Sequence, residues 1–156
     1  MKVVVQRVRD ASVSIDGEVV GQIERGLLLL IGIAQNDTEE DIRFVADKCV
    51  NLRIFEDSEG KMNRSLLETG GDALAISQFT LLGDTRKGRR PSFIEAAPPD
   101  KGKYLYDKFV NHLKTYPITV ECGVFGAMMD VRFTNYGPVT LLVESKNVKK
   151  ATTDLS

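Results

Sequence analysis

Apolar and polar positions along the chain predict a strand-rich fold with two helices. Val3 to Val8 and Ser12 to Ile15 are rich in β-branched residues, the composition of strands. Asp16-Gly17 separates Val13-Ser14-Ile15 from Glu18-Val19-Val20, a hairpin signal because a type I′ turn needs positive φ at both central residues. Gly26 precedes Leu27 to Ala34, a continuous apolar run of the kind found in strands buried on both faces. Thr38 and Asp41 have the spacing of a capping box, and Ile42, Val45, Ala46, Cys49 and Val50 follow at helical spacing. Leu52 to Phe55 reads as a strand ending at the turn Asp57-Ser58-Glu59-Gly60, and Ala73 to Leu82 as another apolar strand. A second helix is expected from Asp100 to Lys114, with Leu105, Phe109 and Leu113 buried and Pro117 beyond its end. Ile118, Val120 and Cys122 alternate, as do Met129, Val131 and Phe133 after a bend at Phe125-Gly126. Val139 to Val143 forms the last strand. With about eight strands, several in hairpin order, the expectation is an α+β fold. Its core is two curved, mostly antiparallel β-sheets forming a barrel, with two main helices outside.

Length and composition narrow this further. The chain has 156 residues, 42% hydrophobic and 28% charged, an ordinary mix for one globular domain. The domain is expected over 1–145, with a polar, frayed tail over 146–156. The longest strictly apolar run, Leu27 to Ile31, is far below the ~20 residues of a membrane helix, and the N-terminal apolar stretch is too short for a signal peptide. The expected location is therefore the cytoplasm. One histidine, His112, and two cysteines, Cys49 and Cys122, cannot close a four-ligand zinc site, and without His112 no Cys-His or Ser-His-Asp arrangement can be built. No nucleotide-binding loop is present, and neither metal nor cofactor is expected. The net charge of −1 excludes a protein that coats nucleic acid by bulk charge, though not one with a local basic patch.

Three segments have the composition to carry chemistry. Ser77-Gln78-Phe79-Thr80 puts polar side chains at the end of an apolar strand, either satisfying backbone groups there or presenting reactive groups on a rigid scaffold. Asn135-Tyr136-Gly137-Pro138-Val139-Thr140 is either a plain turn or a place where backbone must approach something closely, since Gly137 lacks a Cβ. Arg86-Lys87-Gly88-Arg89-Arg90 is either a solvated loop or a phosphate-binding one. His112 and both cysteines read as packing residues, Met128 and Met129 as core, with Met129 a candidate for a pocket wall, and Arg7 as an ordinary surface arginine.

Taken together, Ser77-Gln78-Phe79-Thr80-Leu81 and Asn135-Tyr136-Gly137-Pro138-Val139-Thr140 resemble the D-aminoacyl-tRNA deacylase family. Val5-Gln6-Arg7-Val8, Asn51 to Phe55, Lys87 to Phe93 and Val124 to Ala127 extend the resemblance collinearly from Met1 to about Ser145. It implies a homodimeric editing enzyme that hydrolyses the ester between a D-amino acid, or glycine mischarged on alanine tRNA, and the tRNA 3′ end. It implies that Gly137-Pro138 is a cis dipeptide inserted into the partner's pocket, where its carbonyls hold the substrate's amino group. Ser77, Gln78, Phe79 and Thr80 would form the pocket floor at the scissile ester. Met129 and Arg7 would support the Gly-Pro loop, and Arg86, Lys87, Arg89 and Arg90 would contact tRNA. The N–H groups of Phe79 and Thr80 are candidate oxyanion donors, with Thr80 Oγ as a nucleophile the alternative. Two residues depart from the family pattern, Tyr136 where an acid is expected and Met128 where a polar residue is expected. The competing readings are a non-catalytic tRNA-binding module and an editor of L-serine on threonine tRNA.

Overall fold

The computed structural model of the chain describes residues 1–145. The expected tail over 146–156 lies outside the described residues. The chain runs β1 (Lys2–Ile15), β2 (Glu18–Ile23), β3 (Gly26–Gly32), α1 (Glu39–Asn51), β4 (Phe55–Glu56), β5 (Met62–Arg64), α2 (Leu66–Thr69), β6 (Asp72–Ser77), a 3-10 helix (Phe79–Leu82), α3 (Pro99–Leu113), β7 (Val120–Cys122) and β8 (Asp130–Glu144).

The organising strand is β1. It pairs antiparallel with β2, β3 and β8, while β6 joins β3 and β7 joins β6 in parallel. The sheet order is therefore β2-β1-β3-β6-β7, with β8 on the other side of β1. Its ends nearly meet: a Cβ at Gly21 of β2 would stand 2.8 Å from the Cys122 carbonyl oxygen of β7. Glycine is what lets the two backbones come this close. The barrel-like α+β expectation holds, as one curved mixed sheet with a small β4-β5 sheet beside it. Alternate residues divide the core as a pleated strand requires. Leu28, Leu74 and Ile76 pack inside the barrel with Val8 and Val13, while Leu27, Leu29 and Ile31 pack outward under the helices.

The helices follow the sequence closely. Ile42, Val45, Ala46, Cys49 and Val50 are all buried, and Asp41 Oδ2 accepts the Thr38 N–H at 2.9 Å to cap α1. Leu105, Phe109 and Leu113 are buried on α3. The Asp16-Gly17 turn has φ of 50° and 82°, as a type I′ hairpin needs. The short helix α2, with its own Ser65–Glu68 capping box, was not expected.

Three strand expectations change. Leu52 to Phe55 yields a ladder only at Phe55–Glu56, because only there does the chain meet Met62–Arg64. The strand from Ala73 ends at Ser77 instead of Leu82. Its neighbour β3 stops at Gly32, where a Cβ would stand 2.6 Å from Leu82 Cδ2 and 3.0 Å from Leu81 Cβ, so the chain folds over that glycine as a 3-10 helix. The strands expected around Met129–Phe133 and Val139–Val143 are one continuous strand, β8, because both halves pair with the same long β1.

Candidate active site

The first candidate segment emerges from the end of β6. Ala73 to Ile76 are buried and Ser77 closes the strand. The Gln78 N–H donates to the Ile31 carbonyl at 2.7 Å, the last tie to β3 before the turn. Gln78 Nε2 then donates to Thr80 Oγ1 at 3.2 Å. The Phe79 and Thr80 N–H groups lie in the first turn of the 3-10 helix, where helical geometry supplies no acceptor. The Phe79 side chain is 57% exposed and meets Phe93 edge to face, with centroids 5.2 Å apart. Ser77 to Thr80 form one wall of a cleft of about 940 Å³ whose other walls include Ile31, Phe93, Phe125 and Met129. Such a cleft is mostly apolar with a few polar groups, the usual make-up of a small-molecule site.

Titratable chemistry is sparse around this cleft. His112 is on α3, facing Asp47 Oδ1 at 2.9 Å and the Tyr116 ring. Burial pushes the Cys49 thiol up to about 12, so it stays neutral. The Tyr106 hydroxyl donates to the Ala75 carbonyl at 2.8 Å, and burial raises its pKa. Among the described residues, Thr80 Oγ has Gln78 as its side-chain hydrogen-bond partner and is bonded to no imidazole or carboxylate.

The second candidate segment is neither a plain turn nor a regular strand. Gln6 of β1 is opposite Thr140 of β8, and Val8 is opposite Asn135. Arg7 alone thus faces Tyr136, Gly137, Pro138 and Val139, which loop out as a wide bulge. Arg7 is only 3% exposed, correcting the surface-arginine expectation. Its Nη1 donates to the Ile54 carbonyl at 2.9 Å, and its Nη2 and Nε donate to the Tyr136 carbonyl at 3.1 and 3.3 Å. Asn135 Oδ1 accepts the Val139 N–H at 2.9 Å, and Asn135 Nδ2 donates to Thr140 Oγ1 at 2.8 Å. These bonds replace the ladder bonds the bulge forgoes. The Gly137–Pro138 peptide is cis, and both residues are exposed. Gly137 has φ of 120°, and a Cβ there would stand 2.8 Å from Arg7 Nη2.

Within one chain the two segments stay apart. Gly137, Pro138 and Arg7 do not line the cleft. Arg7 is opposite Leu27, four residues before Ile31 on the same strand, a separation of ~13 Å along β3. Met129 does reach the cleft wall, held where a Cβ at Gly123 would touch its sulfur at 2.6 Å. Met128 is 93% exposed instead of core, and it too lines the cleft.

The basic loop adjoins the cleft directly. Asp84 and Ser92 exchange backbone hydrogen bonds at 2.7 and 2.9 Å, closing the loop and returning the chain to Phe93. Arg86, Lys87, Arg89 and Arg90 are all exposed at its tip. They are not equivalent. Arg86 forks onto Asp84 with bonds of 2.9 and 2.7 Å, and these hold the Asp84 carboxyl down to about 2. Lys87, Arg89 and Arg90 form no ion pair among the described residues.

Ile33, Phe93, Ala97 and Phe125 in the cleft, and Gln6 and Ile54 at the bulge, lie beyond the predicted site residues, and Asn135 and Thr140 gain a bonding role beyond marking the ends of their segment. For Asn135 and Thr140 a signal existed, since both flank the Gly-Pro pair. Ile54 contributes only a carbonyl and has none.

No helix among the described residues is long and apolar enough to cross a membrane. The family model of D-Tyr-tRNA(Tyr) deacylase matches residues 4–144. A D-aminoacyl-tRNA deacylase of Anoxybacillus flavithermus is 62% identical, over 94% of this chain and 100% of its own length. One from Thermosipho africanus is 56% identical, over 95% and 99%. Among solved structures, a c-Myc DNA unwinding element binding protein is 42% identical with a TM-score of 0.88, covering 93% of this chain and 99% of its own. A probable eukaryotic D-amino acid tRNA deacylase shares the fold, with a TM-score of 0.80 at 22% identity over 92% and 98%. Match and coverage run nearly from end to end and take in both the cleft and the bulge: the chain belongs to the D-Tyr-tRNA(Tyr) deacylase family.

Proposed function

We propose that this protein hydrolyses the ester between a D-amino acid and the 3′ end of tRNA, and accepts glycine in the same way. It does so in the cytoplasm as a homodimer, with Gly137-Pro138 of one subunit entering the Ser77–Thr80 cleft of the other. The observation that carries this reading is the separation just described. One chain presents an open cleft and an exposed backbone bulge that does not line it, and a second copy can bring one to the other. The outer edge of β8 pairs with no other strand among the described residues, and Phe133, Leu141 and Leu142 are exposed along it. An unpaired edge with apolar side chains favours a partner.

The chemistry asks little of side chains. An aminoacyl ester is already activated. Water adds to its carbonyl carbon, and the oxyanion is held by the N–H groups of Phe79 and Thr80. The C–O bond to the ribose then breaks, the 3′ oxygen takes the proton that water gives up, and free amino acid and tRNA leave. The neighbouring 2′-OH of the terminal ribose orients the water. This route ranks above attack by Thr80 Oγ, because a threonine nucleophile needs a base and, among the described residues, the side chain bonded to Thr80 Oγ is the Gln78 amide.

Selection by chirality follows from backbone alone. Carbonyls of Gly137 and Pro138 hold the α-amino group, so an L side chain is directed into protein and a D side chain toward solvent. Glycine has none and passes. This is specificity by exclusion, and it serves many D-amino acids with one site. Lys87, Arg89 and Arg90 hold tRNA phosphates beside the cleft, with Arg86 partly neutralised by Asp84.

The test is deacylation of D-tyrosyl-tRNA and L-tyrosyl-tRNA by the purified protein, with chelator present. Loss of the D ester alone is expected. Salt-sensitive tRNA binding without hydrolysis, after a metal add-back control, would support a binding module instead. Equal loss of both esters would remove the proposed filter.

A further inference from the structure

Tyr136 stands at the base of the bulge, and its surroundings are unusual. The guanidinium carbons of Arg7, Arg9 and Arg25 lie 4.2, 5.1 and 5.6 Å from its ring centroid. None of the three forms an ion pair with a carboxylate among the described residues. Three cations gathered this closely repel one another, and an aromatic face is what offsets part of that cost here. The ring is also held by its tip: Arg25 Nη2 and Nε donate to the Tyr136 hydroxyl at 3.1 and 3.3 Å. At the other end of the residue, the Tyr136 carbonyl accepts two bonds from Arg7. Arg25 belongs to the turn between β2 and β3, so the hydroxyl ties the bulge to a third part of the barrel. The next residue is Gly137.

We infer that Tyr136 is a positioning residue, clamped by Arg7 and Arg25, that fixes the direction of the Gly137-Pro138 bulge and thereby sets discrimination between D and L substrates. This rests on the function proposed above. An acid at this position would meet the three arginines as a counter-ion; tyrosine meets them with a ring face and one hydrogen bond. A loosely held bulge still places an amino group, but it yields to an L side chain. The clamp therefore acts on selectivity more than on rate.

The test compares Tyr136→Ala, Tyr136→Phe, Arg25→Gln and the Tyr136→Phe/Arg25→Gln double variant. The D-over-L ratio of kcat/KM is expected to fall about tenfold in Tyr136→Ala, chiefly through a gain on L-tyrosyl-tRNA, which a general loss of structure would not produce. Tyr136→Phe and Arg25→Gln each lower the ratio about threefold, and the double variant lowers it by clearly less than their product, since both remove the Arg25 bonds to the Tyr136 hydroxyl while Arg25→Gln also takes a cation from the ring face. Amide exchange at Val139 is expected to quicken in Tyr136→Ala, while Leu29 in the core keeps its protection. An unchanged ratio with unchanged Val139 exchange in Tyr136→Ala would overturn the clamp. So would additive effects of Tyr136→Phe and Arg25→Gln, which also decide the matter should Tyr136→Ala not fold. A wild-type protein that cleaves neither ester sinks the proposed function instead, and Val139 exchange in the same variants then judges the clamp.

Discussion

The cleft at the end of β6 and the bulge in β8 solve different problems with different materials. The cleft is walled by Ile31, Ile76, Phe93 and Phe125, with Ser77 to Thr80 as its polar strip. Its shape comes from packing, and several side chains share each wall. The bulge's apolar support is Val139, packed partly buried against the core. Otherwise it rests on directed bonds from Arg7, Asn135 and Arg25. A packed wall loses one member and relaxes. A bulge held by a few directed bonds does not, because each lost bond leaves a carbonyl or N–H without its partner. The difference teaches that the exposed bulge is the more precisely held of the two.

Arg7→Ala puts this contrast to the hardest test. It strips donors from the Ile54 and Tyr136 carbonyls together, so a loss of about 3 kcal/mol is expected, read by urea unfolding. Arg7→Lys is expected to recover little, because an ammonium cannot span both carbonyls as the guanidinium fork does. Gly137→Ala comes next. The added Cβ would stand 2.8 Å from Arg7 Nη2 at a φ of 120° that L side chains avoid. The displaced bulge should cost about a hundredfold in kcat/KM for D-tyrosyl-tRNA, with unfolding cooperativity retained. Full activity in that variant removes the bulge from the mechanism.

On the cleft side the effects are smaller. Phe79→Ala removes an exposed ring and its edge contact with Phe93, so stability should change by about 1 kcal/mol while KM rises severalfold. A collapse in stability as large as that of Arg7→Ala would erase the contrast between the regions. The smallest effect is expected at the basic loop. Asp84 is depressed to about 2 by its hydrogen bonds from Arg86, so their pairing is complete above the ordinary carboxylate range. It is lost only as pH falls through about 2. A carboxyl-carbon NMR titration reads this directly. Asp84→Asn frees Arg86 and should lower KM for tRNA about twofold at low salt, the gain fading as salt rises.

Much of the fold was legible because local rules acted alone. Asp16-Gly17 can hardly be anything but a tight turn, and the Thr38–Asp41 cap and the apolar faces of both helices depend on spacing within a few residues. The misread stretches are those where a neighbour decided. β6 stops at Ser77 because Gly32 lets the chain fold across the end of β3, and no residue inside 73–82 announces that. Gly137-Pro138 has the signature of a turn between two strands, yet both flanks pair with one partner and the pair becomes a bulge. Taken by itself Arg7 reads as a surface residue, because its acceptors are carbonyls, which carry no signature in a sequence; the family resemblance alone ties it to the Gly-Pro loop.

The order of residues thus determined most of the strands, the helix faces, the family motifs and the scarcity of histidine and cysteine. Those properties follow from periodicity, turn chemistry and the mere identity of residues, which act over a turn or two of chain. Tertiary structure alone decided that Arg7 meets Ile54, 47 positions away, and Tyr136, 129 positions away. It also decided that Arg25 reaches the Tyr136 hydroxyl, and that cleft and bulge face outward at separate places. Contacts between distant segments are set by how strands align across the sheet, and alignment is a property of the whole barrel, not of either partner.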